Sequence, residues 1–233
     1  LQVNQDKINT ENKYVGYKLE KTSPETIPSE INNGGIIKVY YIKAEIEYTV
    51  EYYYEGVKDE SKTETLKAKF ENKVNNYPDK NITGYKFDKV EGLPLTITAN
   101  SEENIIKVFY KKEEYEYTVE YYYEGIKDES KTEVSEAKFE DIINKYTDKN
   151  ITGYKFEKTE GLPLTITAKS TDNVIKVFYK KEEYEYTVEY YYEGIKDENK
   201  TETLKAKFED NVNEYPLKDV EGYKVGRVEV LPL

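Results

Sequence analysis

No cysteine, histidine, methionine or tryptophan occurs in the 233-residue sequence. Without cysteine there is neither a disulfide nor a thiol nucleophile. Without histidine there is no Ser-His-Asp or Cys-His relay, and without either residue a zinc site loses its usual donors. Freedom from cysteine suits an exported protein that meets changing redox conditions. No run approaches the ~20 apolar residues of a membrane-spanning helix. The start, Leu1-Gln2-Val3-Asn4, lacks the charged and apolar regions of a signal peptide. No membrane insertion is therefore expected within this chain, and any signal peptide or anchor is expected outside it. Excess positive charge is lacking too: 35 Lys and Arg stand against 47 Asp and Glu, a net charge of −12, with both signs interspersed. Phosphate binding needs concentrated cations, so nucleic acid is not an expected partner, whereas a mixed acidic surface favours solubility.

What the sequence has in abundance is tyrosine, 26 residues, and repetition. The string Tyr-Thr-Val-Glu-Tyr-Tyr-Tyr-Glu-Gly begins at Tyr48, Tyr117 and Tyr186, a period of 69 residues. A fixed period of this kind makes each repeat one supersecondary unit with its own small core. In the second copy Tyr115, Tyr117, Val119, Tyr121 and Tyr123 alternate with Glu116, Thr118, Glu120, Tyr122 and Glu124. That period of two predicts a half-buried strand. Gly125 and the polar stretch Lys127 to Lys131 predict a turn into a second strand from Thr132 to about Phe139. Further strands are expected from Ile151 through Phe156, over Leu164–Thr167 and over Val174–Tyr179. Asp141–Tyr146 reads either as a single helical turn or as a loop; its counterpart at 72–78 ends on Pro78, which stops any helix. The fold class is thus mainly β, with at most one short helical turn per copy.

Parity places the joints. Ile106, Val108 and Tyr110 are apolar at even positions but Tyr115, Tyr117 and Val119 at odd ones, so one flat strand cannot bury both sets. The break is expected in Lys111-Lys112-Glu113-Glu114. The chain accordingly divides into a partial copy at 1–44, complete copies at 45–113 and 114–182, and a truncated copy at 183–233 that ends on Leu231-Pro232-Leu233. The joints lack the glycine and serine of a floppy linker, which predicts semi-rigid coupling of neighbours. The first copy lacks its opening half and the last its closing half, so head-to-tail self-association between two molecules is a further expectation.

Tyr53, Tyr122 and Tyr191 occupy the acidic face of the first strand, where alternation calls for a polar residue. They could form a row of exposed rings able to stack on sugars, or they could pack across the pleat as good strand formers. Gly84-Tyr85, Gly153-Tyr154 and Gly222-Tyr223 suggest a tight turn or close backbone approach beside a core anchor, rather than a ligand loop. Leu93-Pro94-Leu95-Thr96 and Leu162-Pro163-Leu164-Thr165 share four positions with a sortase sorting signal. Isoleucine follows where glycine is required, so ordinary turn and strand are expected. Carboxylates are numerous, but nothing selects a catalytic pair, and Asp79 with Asn81, or Asp148 with Asn150, lacks the spacing of a calcium loop. No enzymatic activity, metal or cofactor is expected.

The order of these signals is an opening Tyr-Thr-Val-Glu-Tyr-Tyr-Tyr-Glu-Gly strand, a central Gly153-Tyr154 pair and a closing Lys176-Val177-Phe178-Tyr179-Lys180-Lys181 strand. It resembles the mucin-binding (MucBP) repeats of Gram-positive surface proteins. The resemblance implies β-grasp or ubiquitin-like modules in an elongated array, and an extracellular, wall-anchored adhesin without cofactor that binds host mucin or glycoprotein carbohydrate through many weak sites. The alternative within the same setting is a stalk that holds a distal binding domain away from the wall. Such stalks sometimes carry Lys-Asn isopeptide cross-links.

Overall fold

Tyrosine and β-branched residues alternating with glutamate and lysine fit a pleated, half-buried surface, and the chain is mainly β. The computed structural model describes residues 1–8 and 13–229, and it forms two compact units, Leu1–Glu114 and Tyr115–Leu233.

The first unit begins with a four-residue helix, Gln5–Ile8, and an antiparallel hairpin of β1 (Tyr17–Ser23) and β2 (Lys38–Lys43). Ala44 alone separates β2 from β3 (Glu45–Tyr54). There follow β4 (Val57–Lys58), β5 (Glu64–Lys69), β6 (Lys73–Val74), β7 (Tyr85–Glu91), β8 (Leu95–Thr96) and β9 (Ile105–Lys112). Five of these make one mixed sheet. β9 runs parallel to β3 from Thr49↔Ile105 to Tyr54↔Tyr110, β7 lies antiparallel on the far side of β9, and β4 and β5 pair with the other edge of β3. β6 and β8 form a separate two-stranded ladder.

The second unit repeats this order with β10 (Glu114–Tyr123), β11 (Ile126–Lys127), β12 (Glu133–Lys138), β13 (Ile142–Ile143), β14 (Tyr154–Glu160), β15 (Leu164–Thr165) and β16 (Val174–Lys181). Then come β17 (Glu183–Val188), β18 (Tyr191–Tyr192), β19 (Ile195–Lys196) and β20 (Glu202–Lys207), which among the described residues pair as two hairpin ladders, β17 with β20 and β18 with β19. Leu231-Pro232-Leu233 lie outside the described residues.

Alternation sets the core. Tyr48, Val50 and Tyr52 of β3 meet Ile106, Val108 and Tyr110 of β9 on the inner face, with Val74 and Ile97 beneath them. Val119, Tyr121, Ile175, Val177 and Tyr179 do the same in the second unit, over Leu164 and Ile166. Burying each such side chain is worth about 1.5–3 kcal/mol. β9 buries even positions and β10 odd ones, and Glu113, outside both strands, absorbs the change of parity. The β3–β4 turn has positive φ at Glu55 (49°) and Gly56 (79°), as the twist of a two-residue hairpin demands.

The middle segment differs from the helical turn that the sequence allowed. Ile142–Ile143 is a short strand paired with Leu164–Thr165, just as Lys73–Val74 pairs with Leu95–Thr96. A helix needs apolar residues three and four apart to face a core, whereas only Val74 of its segment is buried. Two-residue pairing is enough to seat it. The 3-10 turns fall elsewhere, at Ser101–Glu103, Glu129–Lys131 and Ser170–Asp172. Leu93-Pro94-Leu95-Thr96 is turn and strand, entering β8 through a cis Leu93–Pro94 bond.

Candidate functional site

Three groups of side chains recur from copy to copy. The first closes the core. Irregular chain and two-residue strands cover the inner face of the sheet, and tyrosine hydroxyls tie that chain down. Tyr52 donates to the carbonyl of Pro78 (2.5 Å), Tyr110 donates to Asp79 Oδ1 (2.6 Å), and the Lys80 amide donates back to the Tyr110 hydroxyl (3.0 Å). The Lys80 ammonium pairs with Glu64 and sits 5.2 Å from the Tyr52 ring centre. In the second unit Tyr121 donates to the Thr147 carbonyl (2.6 Å), Tyr179 to Asp148, and the Lys149 amide to Tyr179 (2.9 Å), with Lys149 paired to Glu133. Burial raises the pKa of all four hydroxyls, helped by Glu64 at Tyr52, Asp79 at Tyr110, Glu133 at Tyr121 and Asp148 at Tyr179. They stay neutral donors throughout the physiological range. Asp79 and Asp148 are thereby engaged in the fold. Among the described residues no group of three or more acidic side chains is placed to hold a metal ion.

The second group is the predicted tyrosine row on the outer face. Tyr53 and Tyr122 are half-buried. Tyr53 stacks on Phe109 across the parallel pair (centroids 4.8 Å, 22° between planes), and Tyr122 on Phe178 (4.8 Å, 21°). Lys89 and Lys158 cap the phenylalanines, each 4.7 Å from a ring centre, and Lys107 lies 6.0 Å from that of Tyr53. Each tyrosine hydroxyl donates to the glutamate two residues earlier: Tyr53 to Glu51, Tyr122 to Glu120 and Tyr191 to Glu189, all at 2.8 Å. Burial raises the Glu51 carboxyl, but its bonds to Lys58 and Tyr53 outweigh that and hold it below the ordinary range; Glu120 behaves likewise. Tyr191 keeps the hydrogen bond but has no stacked ring among the described residues, and it is 58% exposed. The Tyr53 ring is thus already shared with phenylalanine and lysine, and the Tyr122 ring with phenylalanine.

The third group is the joint between consecutive copies. The Ala44 amide donates to the Gly16 carbonyl (2.9 Å), and the Phe70 amide donates to the Ala44 carbonyl (2.9 Å). Phe70 packs edge-on to Tyr17 (5.7 Å), and Lys43 pairs with Glu71 (3.0 Å). In the second unit the Glu182 amide donates to the Gly153 carbonyl (2.8 Å), the Phe208 amide donates to the Glu182 carbonyl (2.9 Å), and Phe208 packs on Tyr154 (6.1 Å). A Cβ on Gly153 would lie 2.2 Å from the Phe208 ring, so only glycine fits this notch. At Gly153-Tyr154 the close approach comes from the next copy rather than from the glycine's own, whereas at Gly222 no atom among the described residues lies within 4 Å of a Cβ. Phe70 and Phe208 were not singled out from sequence. Their signal was available in the recurring Ala-Lys-Phe at 68–70, 137–139 and 206–208.

Asn104 and Asn173 are fully buried. The Asn104 amide donates to the carbonyls of Glu47 (3.2 Å) and Thr98 (3.0 Å), and its oxygen accepts from Thr98 N (2.9 Å) and Oγ1 (3.1 Å). Asn173 does the same with Glu116 and Thr167. These partners are backbone and threonine rather than the lysine that an isopeptide cross-link requires. No protein-family model matches the chain, and no curated protein matches it.

Proposed function

We propose that the chain is a non-enzymatic spacer: a run of MucBP-type, β-grasp-like modules from a wall-anchored surface protein of a Gram-positive bacterium, joined stiffly enough to hold a distal domain away from the cell. The joint carries this reading. One linking residue, hydrogen-bonded on both sides and flanked by a ring seated in a glycine notch, restricts bending in a way that a flexible tether would not. The sheet order supports the β-grasp part, since that fold places its first and last strands side by side in parallel, as β3 and β9 are. The irregular segment between β5 and β7 stands where a β-grasp helix would. Small-angle scattering tests the proposal: a rod-like particle is expected, and a compact or randomly flexing one sinks it.

A second reading, multivalent adhesion to mucin or glycoprotein sugars, draws support from the repeated row Lys58, Tyr53, Phe109, Lys89, which recurs as Lys127, Tyr122, Phe178, Lys158. Tandem weak sites would gain avidity through effective concentration. Binding of the chain to mucin, lost in a Tyr53/Tyr122/Tyr191→Ser variant that still folds, would favour adhesion over spacing.

A further inference from the structure

A spacer between a cell wall and a tethered target carries tension, and the strand arrangement says how each copy would meet it. The chain enters the first complete copy at the start of β3 and leaves it at the end of β9. These strands are parallel neighbours, in register over six residue pairs from Thr49↔Ile105 to Tyr54↔Tyr110. Pulling the two ends apart drags β3 toward its own start and β9 toward its own end. The strands must slide past each other, so the hydrogen bonds between them are strained together rather than one at a time.

Both ends of this ladder are fastened. At the entry end the Thr49 amide donates to the Asn104 carbonyl (2.8 Å), and the Asn104 side chain donates to the Glu47 carbonyl (3.2 Å). At the exit end the Glu55 amide donates to the Tyr110 carbonyl (3.1 Å), and the Glu55 carboxylate accepts from the Lys112 amide (2.6 Å). Beside the exit end, at the last two register pairs, Tyr53 stacks on Phe109 and Tyr54 on Tyr110 (5.3 Å). The second complete copy has the same set: Thr118↔Val174 to Tyr123↔Tyr179, Asn173 on Glu116, and Glu124 on Lys181 (2.7 Å).

We infer that each complete copy is a load-bearing clamp, which takes tension along the chain in shear through its β3–β9 or β10–β16 pair. Glu55 and Glu124 latch the exit end from the hairpin turn of each complete copy. The inference rests on the spacer reading for the origin of the load, but the clamp itself is a property of one copy.

The experiment is single-molecule pulling of the full chain through introduced cysteine pairs, which are unique handles because the sequence has none. Glu45→Cys with Lys111→Cys loads the parallel pair in shear. Glu45→Cys with Lys69→Cys loads a directly opposed antiparallel pair, Glu45↔Lys69, which opens like a zipper. Forced unfolding reports the barrier along the pulled direction, so the shear pair is expected to give at least about twice the force of the zipper pair. In the shear pair, Glu55→Ala is expected to lower the force and Glu55→Gln, which keeps an acceptor, to retain most of it. Circular dichroism confirms that each variant is folded before pulling. Equal forces in the two directions, or no effect of Glu55→Ala, would overturn the clamp. A compact particle in scattering would instead remove the spacer reading and leave the directional force difference standing, so the two failures are told apart.

Discussion

The ring of Phe70 occupies the space that a side chain on Gly16 would need: a Cβ built there would meet it at 2.4 Å. A residue of one copy is thus fitted to the absence of a side chain in the copy before it, and Phe208 has the same relation to Gly153.

Gly153→Ala is therefore expected to disturb the joint more than the core. The methyl group would displace Phe208 and would sit on a backbone with φ of 79°, a combined cost of about 1–3 kcal/mol. Limited proteolysis at Lys180 and Lys181 should speed up, while thermal unfolding of the first complete copy, 45–113, changes little. An unchanged cleavage rate would count against the joint.

Asn104→Ala should act on one unit alone. It removes the fully buried amide that satisfies Glu47 and Thr98, leaving their groups without partners at a cost of about 2–4 kcal/mol. Asn173 still serves the second unit. Denaturant unfolding followed by circular dichroism should therefore split into two transitions, and one unshifted transition would contradict this role.

Tyr52→Phe keeps the ring and deletes the bond to the Pro78 carbonyl, an expected loss of about 1–2 kcal/mol. Hydrogen exchange should rise first in residues 77–82, the covering segment, before β3 itself becomes less protected.

Alkali should unfold the protein before acid does. The hydroxyls of Tyr52, Tyr110, Tyr121 and Tyr179 hold their protons more tightly in the folded chain than the ordinary tyrosine value of about 10 allows in the unfolded one. Their contribution is complete below that pH and drains away as pH rises through it toward the higher folded value. On the acid side, hydrogen bonds from Lys131 and Ser130 hold Asp128 down to about 2, and Glu51 and Glu120 also lie below their ordinary range, but all three are paired at the surface, where each pair contributes little. Melting temperature against pH should stay flat through neutrality and fall steeply above about pH 10.

Head-to-tail association is the outcome expected of this 233-residue chain at high concentration. Thr187–Tyr192 corresponds to the opening strand of a complete copy and Ile36–Tyr41 to its closing strand, and among the described residues neither has the parallel partner of its counterpart. Ile36 and Tyr191 are exposed on these segments, at 71% and 58%. Sedimentation at several concentrations checks this, and a monomer throughout rejects it.

Much of the sheet was legible because Tyr115 to Tyr121 alternate without interruption, and the parity change between Tyr110 and Tyr115 marked where one strand ends and the next begins. Ile142–Ile143 was not legible, because a two-residue strand has no periodicity of its own and exists only through its partner, Leu164–Thr165. Tyr53 was read as the odd member of a polar face, but its neighbour Phe109 is distant in sequence and adjacent only once β3 and β9 pair in parallel. The same distance hid the bond between Glu55 and Lys112, where a turn residue acts on a strand that the chain has yet to form.

The truncated copy shows what that delay entails. Glu189 and Tyr190 fall outside any strand, whereas their counterparts Glu120 and Tyr121 are strand residues paired with β16. During synthesis every copy must pass through this half-built form, with its opening strand waiting some fifty residues for the neighbour that closes the core. Long-range pairing is slow to form, and a bare tyrosine-rich edge can join the wrong chain. The glutamates and lysines spaced along those edges therefore serve the nascent protein as well as the finished one, keeping adjacent unfinished copies apart until each receives its last strand.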